Sequence, residues 1–97
     1  IIKGSGKLAI CEGFATGSTI HQATGWSVAV CFSASNLIKV APYFKRKDCV
    51  VCGDNDEAGI TYGKKTAEYL GCDFVMPPHE GEDFNDMPID EVKKCLI

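Results

Sequence analysis

The sequence predicts a small α/β domain with a mainly parallel sheet of about four strands, covered on both faces by helices in a three-layer sandwich. Three observations predict this fold. Short apolar runs alternate with stretches of helical pattern along the 97 residues. The runs contain mostly Val, Ile, Ala and Cys, as expected of strands that are buried on both faces. Glycine stands after several runs and helical stretches, where the chain has to turn.

The first strand and the first helix are predicted near the amino terminus. Leu8–Cys11 is a short run of apolar residues, so we expect a buried strand there. Residues 16–23 are the first helix candidate. Thr16 or Ser18 would be its N-cap, and Gly25 would end it.

The second strand and helix are expected next. Residues 27–32 are rich in β-branched side chains and predict a strand. A helix then begins at a cap formed by Ser35 or Asn36 and runs through Ala41. It either continues past Pro42 or restarts at that proline.

The second half of the chain repeats the alternation. Residues 48–52 and 72–76 are predicted as the third and fourth strands. The longest helix is predicted over Glu57–Leu70, with Gly71 at its end. A final helix is expected over Ile89–Leu96.

Acidic side chains follow three of the predicted strands. Glu12 follows the first strand, Asp54 and Asp56 follow the third, and Asp83 comes in the turn after the fourth. Ligands of open α/β sheets bind at the carboxyl ends of the strands, so these acids are expected to gather there. Each pair of carboxylates would repel by about 4 kcal/mol at about 4 Å and an effective dielectric near 20. A divalent cation removes this repulsion, and carboxylate oxygens suit Mg²⁺ or Mn²⁺.

Each acid also has a simpler structural explanation. Glu12 alone could cap the next helix or pair with a lysine, and Asp56 could cap the longest helix, worth about 1 kcal/mol. Asp83 or Asn85 could cap a short helix. Capping does not explain two acids two residues apart, which project from the same side of an extended segment. We therefore interpret Asp54 and Asp56 as metal ligands.

The net charge of −3 argues against a domain that holds nucleic acid by bulk electrostatics alone. The basic residues are clustered, however, and either cluster could contact phosphate groups. Solvated surface charge is the simpler interpretation of each cluster taken alone. The weak candidates for phosphate contacts are Lys45, Arg46, Lys47, Lys64 and Lys65.

Of the six cysteines, four lie in apolar strand-like runs and are predicted to be buried, and these are Cys11, Cys31, Cys49 and Cys52. Cys49 and Cys52 have the spacing of a metal or redox pair, but residues three apart on a strand point to opposite faces. We therefore expect free thiols and a reducing, cytoplasmic compartment. Trp26 and Phe32 are expected to fill the core. No apolar run reaches the roughly 20 residues that span a bilayer, so no membrane partner is expected.

Between residues 8 and 87, the chain resembles the Toprim domain, which is shared by DnaG-type primases, topoisomerases, and some nucleases and recombination proteins. The motifs that carry the resemblance are Glu12-Gly13, Asp54-x-Asp56, Gly59 and Gly81-x-Asp83. Five segments are similar in amino-acid sequence to the Toprim modules of phage and plasmid replication primases. They are residues 12–17, 23–25, 34–37, 53–59 and 81–86. Such modules are often fused to a helicase.

The resemblance implies a Rossmann-like Toprim fold in a single domain, 1–97, excised from a larger primase and inactive alone. It implies that Glu12, Asp54 and Asp56 are catalytic and bind Mg²⁺ or Mn²⁺, with Asp83 as a further ligand. The implied enzyme is a DNA primase, a nucleotidyltransferase that makes short RNA primers on single-stranded DNA. Expected partners are that DNA template, nucleoside triphosphates and the other domains of the primase, with a helicase as a further candidate.

Alternatives are left open by the same residues. A Toprim nuclease would use the same acids with water as the nucleophile, and a topoisomerase-type module would need a tyrosine from another domain. A non-catalytic interaction domain is the third alternative, and the presence of all the acids argues against it. Thr16 and Asn85 stand where the DnaG-type pattern has or commonly has an acid, which leaves the number of metals open.

Overall fold

The sheet has four parallel strands in the spatial order β2-β1-β3-β4. The structure is a computed structural model that describes residues 1–45 and 47–97. The strands are β1 (Leu8–Cys11), β2 (Ser27–Val30), β3 (Cys49–Cys52) and β4 (Asp73–Val75). The helices are α1 (Phe14–Thr24), α2 (Ala34–Val40), α3 (Glu57–Leu70) and α4 (Ile89–Leu96), with short 3-10 helices at Ala41–Phe44 and Phe84–Asp86. The predicted fold class is confirmed.

Helices cover both faces of the sheet, which gives the predicted three layers. On one face, α1 and α4 pack together over a core that includes Ile20, Phe84 and Val92, all fully buried. On the other face, α2 and α3 pack together over a second core that includes Ile10 and Leu37. None of the helices in the described part of the chain is long and apolar enough to cross a membrane.

The order of the strands creates a switch point between β1 and β3. The chain passes from β1 to β2 on one side and then returns to β3 on the other side of β1. The register pairs Cys11 with Val30 of β2 and with Cys52 of β3, so these three strands end at the same level. Ligands of open α/β sheets bind in the crevice at such a point. The segments that follow Cys11 and Cys52 therefore border the crevice.

Two helix starts differ from the sequence-based expectation. α1 begins at Phe14, with Gly13 in the N-cap position and no side-chain cap, so Thr16 and Ser18 lie inside the helix. The reason is that Gly13 makes the turn from strand to helix in one extended residue. α2 is capped by Ser33, whose Oγ accepts a hydrogen bond from the backbone N–H of Asn36 at 3.3 Å.

The ends of α1, α2 and α3 agree with the sequence-based prediction more closely than the starts of α1 and α2 do. The α-helix stops at Val40, and a 3-10 helix restarts at Ala41 with proline in its first turn. Gly25 and Gly71 end α1 and α3 with positive φ angles of 75° and 68°, as expected for helix-stopping glycines. The bounds predicted for α3 and α4 are confirmed.

The second strand is shorter than predicted and its last predicted residue is exposed. β2 ends at Val30, and Phe32 has a φ angle of 70° with 76% of its side chain accessible. The core role expected for Phe32 is wrong because the chain leaves the sheet before its side chain can turn inward. Trp26, in contrast, packs against the core beside α1.

The four cysteines predicted in strand-like runs are buried, whereas Cys72 is half-buried and Cys95 is exposed. All six are free, and Cys49 and Cys52 belong to the cores on opposite faces of the sheet. Burial raises the pKa of the Cys11 thiol to about 12 and that of the Cys31 thiol to about 11. Such thiols are protonated at neutral pH and are poor metal ligands and nucleophiles.

Candidate active site

Glu12 and Asp54 meet at the switch point. Glu12 follows the last residue of β1 directly, and Asp54 lies two residues after the last residue of β3. Because Cys11 and Cys52 are paired in the register, the two acids leave neighbouring strands at the same rim. Their carboxyl groups lie within hydrogen-bonding reach of each other. The sequence-based expectation that these two acids gather at one edge agrees with this placement.

Asp54 has an environment that opposes its negative charge. Its pKa is raised from the ordinary 3.8 to about 6. Burial is the largest cause, followed by the negative charges of Glu12, Asp83 and Asp56 and by the hydrogen bond with Glu12. Four acids from three turns therefore share one electrostatic environment. A proton or a metal cation at this place relieves the repulsion among them.

Asp56 has the capping role that the sequence left open. It is the N-cap of α3, and its Oδ1 accepts a hydrogen bond from the backbone N–H of Gly59 at 2.6 Å. The side chain is exposed, and a carboxylate has a second oxygen that this cap does not use. The cap therefore orients Asp56 next to Asp54 without occupying both of its oxygens.

Gly59 allows the first turn of α3 to pack against the turn that carries the acids. A Cβ atom at position 59 would collide with the backbone carbonyl oxygen of Asp54 and would lie 3.0 Å from its nitrogen and from Oδ1 of Asp56. Contacts that close are essentially not observed for real side chains. Glycine is required here by space rather than by a positive φ angle.

Asp83 is held by a reciprocal cap at the start of the 3-10 helix Phe84–Asp86. Its Oδ1 accepts a hydrogen bond from the N–H of Asp86 at 3.1 Å, while Oδ2 of Asp86 accepts one from the N–H of Asp83 at 3.0 Å. The predicted capping by Asp83 is observed, and Asn85 does not cap. Phe84 is completely buried and anchors the turn to the core.

Asn55 holds two loops of the site together, a role that was not predicted from the sequence. It is buried, and its Nδ2 donates a hydrogen bond to the carbonyl oxygen of Pro77 at 2.8 Å. Its backbone N–H donates to the carbonyl oxygen of Glu82 at 2.9 Å, and its own carbonyl oxygen accepts from the N–H of Gly81 at 2.7 Å. These three bonds join the turn after β3 to the loop after β4. They bring Asp83 within electrostatic range of Asp54.

Thr16 and Asn85, the two departures from the acidic pattern, have structural roles. Thr16 is buried inside α1, with 4% of its surface exposed. Asn85 accepts a hydrogen bond at Oδ1 from the hydroxyl of Thr19 at 2.9 Å, which ties the 3-10 helix to α1. Neither residue therefore adds a negative charge to the site. Thr16 is buried in the domain, and Asn85 makes a hydrogen bond to α1.

The four acids offer carboxylate oxygens, which are suitable ligand atoms for a hard divalent cation. No three Asp, Glu, His or Cys side chains within residues 1–45 and 47–97 are grouped closely enough to hold a metal ion as they stand. The close pair is Glu12 with Asp54, while Asp56 and Asp83 each use one oxygen in a helix cap. Carboxylate oxygens are the donors that Mg²⁺ and Mn²⁺ prefer, and the caps of Asp56 and Asp83 each leave one carboxylate oxygen for a cation. The donor set therefore fits such an ion.

The first basic cluster lies away from the acids. Lys45 and Lys47 precede β3, so they sit at the rim opposite to the carboxyl ends of the strands, and Arg46 lies outside the described residues. The ammonium group of Lys45 lies 5.1 Å from the centre of the Tyr69 ring. A cavity of about 250 Å³ at this opposite rim is lined by Ile1, Gly6, Lys7, Leu8, Ser27, Phe44, Lys47 and Asp48.

The second basic cluster lies on the exposed side of α3. Lys64 comes eight residues after Asp56, which corresponds to about 12 Å along the helix. The ammonium group of Lys65 lies 5.9 Å from the centre of the Tyr62 ring. The structure brings neither lysine next to the carboxylates.

Two phenylalanine side chains are exposed at the acidic rim. Phe32 follows β2 much as Glu12 follows β1, and its N–H donates to the carbonyl oxygen of Glu12 at 2.7 Å. Phe14 begins α1 two residues after Glu12 and is 63% exposed. A signal for Phe32 is present in the sequence, because it stands directly before the Ser33 cap of a helix, where the strand has to end.

A comparison with known protein families agrees with this arrangement. The family model described as the Toprim domain matches residues 7–93. The match includes all four strands, the helices α1 to α3 and each acid of the candidate site.

Proposed function

The chain belongs to the Toprim domain family, and from that premise we propose that it is the metal-binding catalytic core of a DNA primase. Toprim domains are found in primases, nucleases and topoisomerases, and they typically bind Mg²⁺. The proposed reaction is nucleotidyl transfer, in which a 3′-hydroxyl group attacks the α-phosphate of a nucleoside triphosphate and pyrophosphate leaves.

The contact between Glu12 and Asp54 is the observation that carries the proposal. Two carboxyl groups share one place at the switch point, and two further acids add negative charge there. An isolated structural role would not need such repulsion, whereas phosphoryl-transfer sites use clustered acids to hold divalent cations. The raised pKa of Asp54 is the electrostatic consequence of this clustering.

The roles of the residues follow from their positions. Asp54, Asp56 and Asp83 would hold the cation together with Glu12. When bound, Mg²⁺ supplies charge neutralisation at the phosphate groups and lowers the pKa of an attacking hydroxyl. We assign to Glu12, which directly follows β1, the role of accepting the proton of that hydroxyl. Gly13 leaves open space around it, because no atom other than those of Gly13 and its two chain neighbours lies within 4 Å of the position of a Cβ there.

Sequence similarity supports the primase subtype. Residues 12–17 and 53–59 are similar to the Toprim modules of phage and plasmid replication primases, as are residues 23–25, 34–37 and 81–86. We propose single-stranded DNA, nucleoside triphosphates and the other domains of a primase as partners. A cytoplasmic location follows from that role.

Primer synthesis by the parent protein tests the proposal. On a single-stranded template with radiolabelled nucleoside triphosphates and Mg²⁺, we expect short RNA products, lost in Glu12→Gln and Asp54→Asn. Asp90→Asn is the matched control, because Asp90 is an exposed acid on α4. Cleavage of the template without synthesis would favour a Toprim nuclease instead. Synthesis that persists in both site variants would contradict the assigned acids.

A further inference from the structure

We propose that Phe32, together with Phe14 on the neighbouring segment, is a stacking surface for a nucleobase at the edge of the Glu12–Asp54 site. The inference deepens the proposed function and rests on it for the class of ligand. It assigns the base-contacting role to residues that carry no charge and that the acidic motifs do not include.

The backbone of Phe32 is the first observation. Its φ angle of 70° lies in the left-handed region, and no other non-glycine residue in the described part of the chain has a positive φ. A bulky aromatic residue is rarely found there, because its Cβ is crowded by the backbone. Such strain persists where the surrounding structure enforces it, and it concentrates at functional sites.

The neighbouring hydrogen bonds enforce this conformation. The N–H groups of Cys31 and Phe32 donate to the carbonyl oxygens of Cys11 and Glu12 at 2.9 Å and 2.7 Å. The side-chain amide of Asn36 donates to the carbonyl oxygen of Cys31 at 2.9 Å. Cys31 is thus fixed at both its N–H group and its carbonyl oxygen, and the N–H of Phe32 is bonded to the backbone of the proposed catalytic glutamate.

The exposure of the ring is the second observation. Phe32 is 76% exposed and Phe14 is 63% exposed, and neither ring belongs to either of the two apolar cores. Both rings stand on segments that leave neighbouring strands at the rim where the acids lie. Exposed aromatic rings beside a phosphoryl-transfer site provide a platform for bases.

The charge of the rim selects a base rather than a phosphate as the partner of these rings. The acids repel phosphate unless a cation is bound, whereas the face of a nucleobase is neutral and stacks on an aromatic ring without regard to sequence. The ligand is therefore a nucleobase, either of the DNA template or of a nucleoside triphosphate.

Binding measurements on the 97-residue chain test the proposal. Fluorescence anisotropy of a labelled oligothymidylate and competition by a nucleoside triphosphate are measured in Mg²⁺. They are repeated in EDTA on an Asp54→Asn background, where the repulsion is reduced without metal. Phe32→Ala is expected to weaken binding of the base-bearing ligand by about 5- to 150-fold, and Phe32→Trp to retain it.

Two controls separate stacking from folding. Phe32→Gly removes the ring and also the backbone strain, so it is expected to lose binding like Phe32→Ala while it melts at a higher temperature. Tyr43→Ala removes an equally exposed ring, 80% accessible, from the 3-10 helix at the opposite rim, and is expected to bind normally.

Each outcome decides the matter. Loss of oligothymidylate binding assigns the surface to the template, and loss of triphosphate binding alone assigns it to the incoming nucleotide. Unchanged binding in both Phe32→Ala and Phe32→Gly, or no binding of either ligand by the unsubstituted chain and the Asp54→Asn background, overturns the proposal. Binding in EDTA that depends on Phe32, in a chain without Mg²⁺ affinity, would support stacking while it contradicts the proposed metal-dependent function.

Discussion

Asn55 donates its side-chain amide to the backbone carbonyl oxygen of Pro77 at 2.8 Å, and this bond joins the two loops that carry the acids of the third and fourth strands. The residue stands between Asp54 and Asp56, so the bond acts at the centre of the acidic turn. It is buried, and a buried bond of this kind is costly to break because its partners cannot turn to water.

We therefore predict that Asn55→Ala lowers the free energy of unfolding by about 1–3 kcal/mol and weakens Mn²⁺ binding as well. The carbonyl oxygen of Pro77 would lose its donor, and only the two backbone bonds of residue 55 would then hold the loop of Asp83 near Asp54. Urea denaturation and electron paramagnetic resonance of free Mn²⁺ measure the two effects. Gln22→Ala, which removes an exposed amide from α1, should change neither. A stable variant with normal Mn²⁺ binding would contradict the role of Asn55.

The raised pKa of Asp54 predicts an unusual dependence of stability on pH. Between the ordinary value of 3.8 and about 6, the folded chain binds more protons at Asp54 than the unfolded chain does. The contribution of Asp54 to stability therefore falls as the pH rises through this interval. We expect Asp54→Asn to remove that fall and to be more stable than the unsubstituted chain at pH 7 without metal. Thermal melts in EDTA at several pH values measure this.

Mg²⁺ should remove the loss of stability that ionisation of Asp54 causes, since a cation and a proton compete for the same carboxylates. The rise in melting temperature on adding Mg²⁺ is expected to be larger at pH 7 than at pH 5, and to be absent in Asp54→Asn. Asp90→Asn serves as the control for general charge removal. An equal effect of Mg²⁺ at both pH values would count against a site at Asp54.

The two roles of Asp56 can be separated by two substitutions. Asn is as good an N-cap as Asp, whereas Ala is not, so Asp56→Ala should cost about 1 kcal/mol of stability and Asp56→Asn should cost little. Both substitutions remove the negative charge and are expected to weaken Mn²⁺ binding. Comparison of urea midpoints with Mn²⁺ affinities tests this. If Asp56→Asn bound Mn²⁺ normally, Asp56 would be a cap alone.

Gly59→Ala is predicted to displace the acidic turn. Alanine is favoured over glycine in a helix by about 1 kcal/mol, but here its Cβ would collide with the carbonyl oxygen of Asp54. We expect a net loss of about 1–3 kcal/mol from the crowding, and weaker Mn²⁺ binding. Thr61→Ala, at an exposed position of the same helix, is the matched control. A stabilised Gly59→Ala variant would show that the turn moves freely.

Much of the fold was predictable because its signals are local. Apolar runs and helix-stopping glycines such as Gly25 and Gly71 report on residues close in sequence, and they placed all four strands and the four α-helices. The start of α1 was missed because Gly13 makes a cap from its backbone alone. Phe32 was assigned to the core because an aromatic residue at the end of an apolar run usually continues the strand.

The candidate site was only partly predictable. The pairing of Glu12 with Asp54 could be expected, because acids after parallel strands share a rim. The role of Asn55 could not, since its partners Pro77, Gly81 and Glu82 lie at least 22 residues away and follow a different strand. The placement of Lys45 and Lys47 at the opposite rim depends on the order of the strands, which no local pattern encodes.

Titration of the isotope-labelled chain with Mg²⁺, followed by nuclear magnetic resonance, shows whether Glu12 and Asp54 share one bound cation. We expect the backbone signals of Glu12, Gly13, Asp54 and Asn55 to shift together with one dissociation constant. Asp54→Asn is expected to abolish these shifts, whereas Asp90→Asn is expected to leave them unchanged. Shifts scattered over exposed acids elsewhere, or shifts at Glu12 that survive Asp54→Asn unchanged, would contradict a cation shared by these two carboxylates.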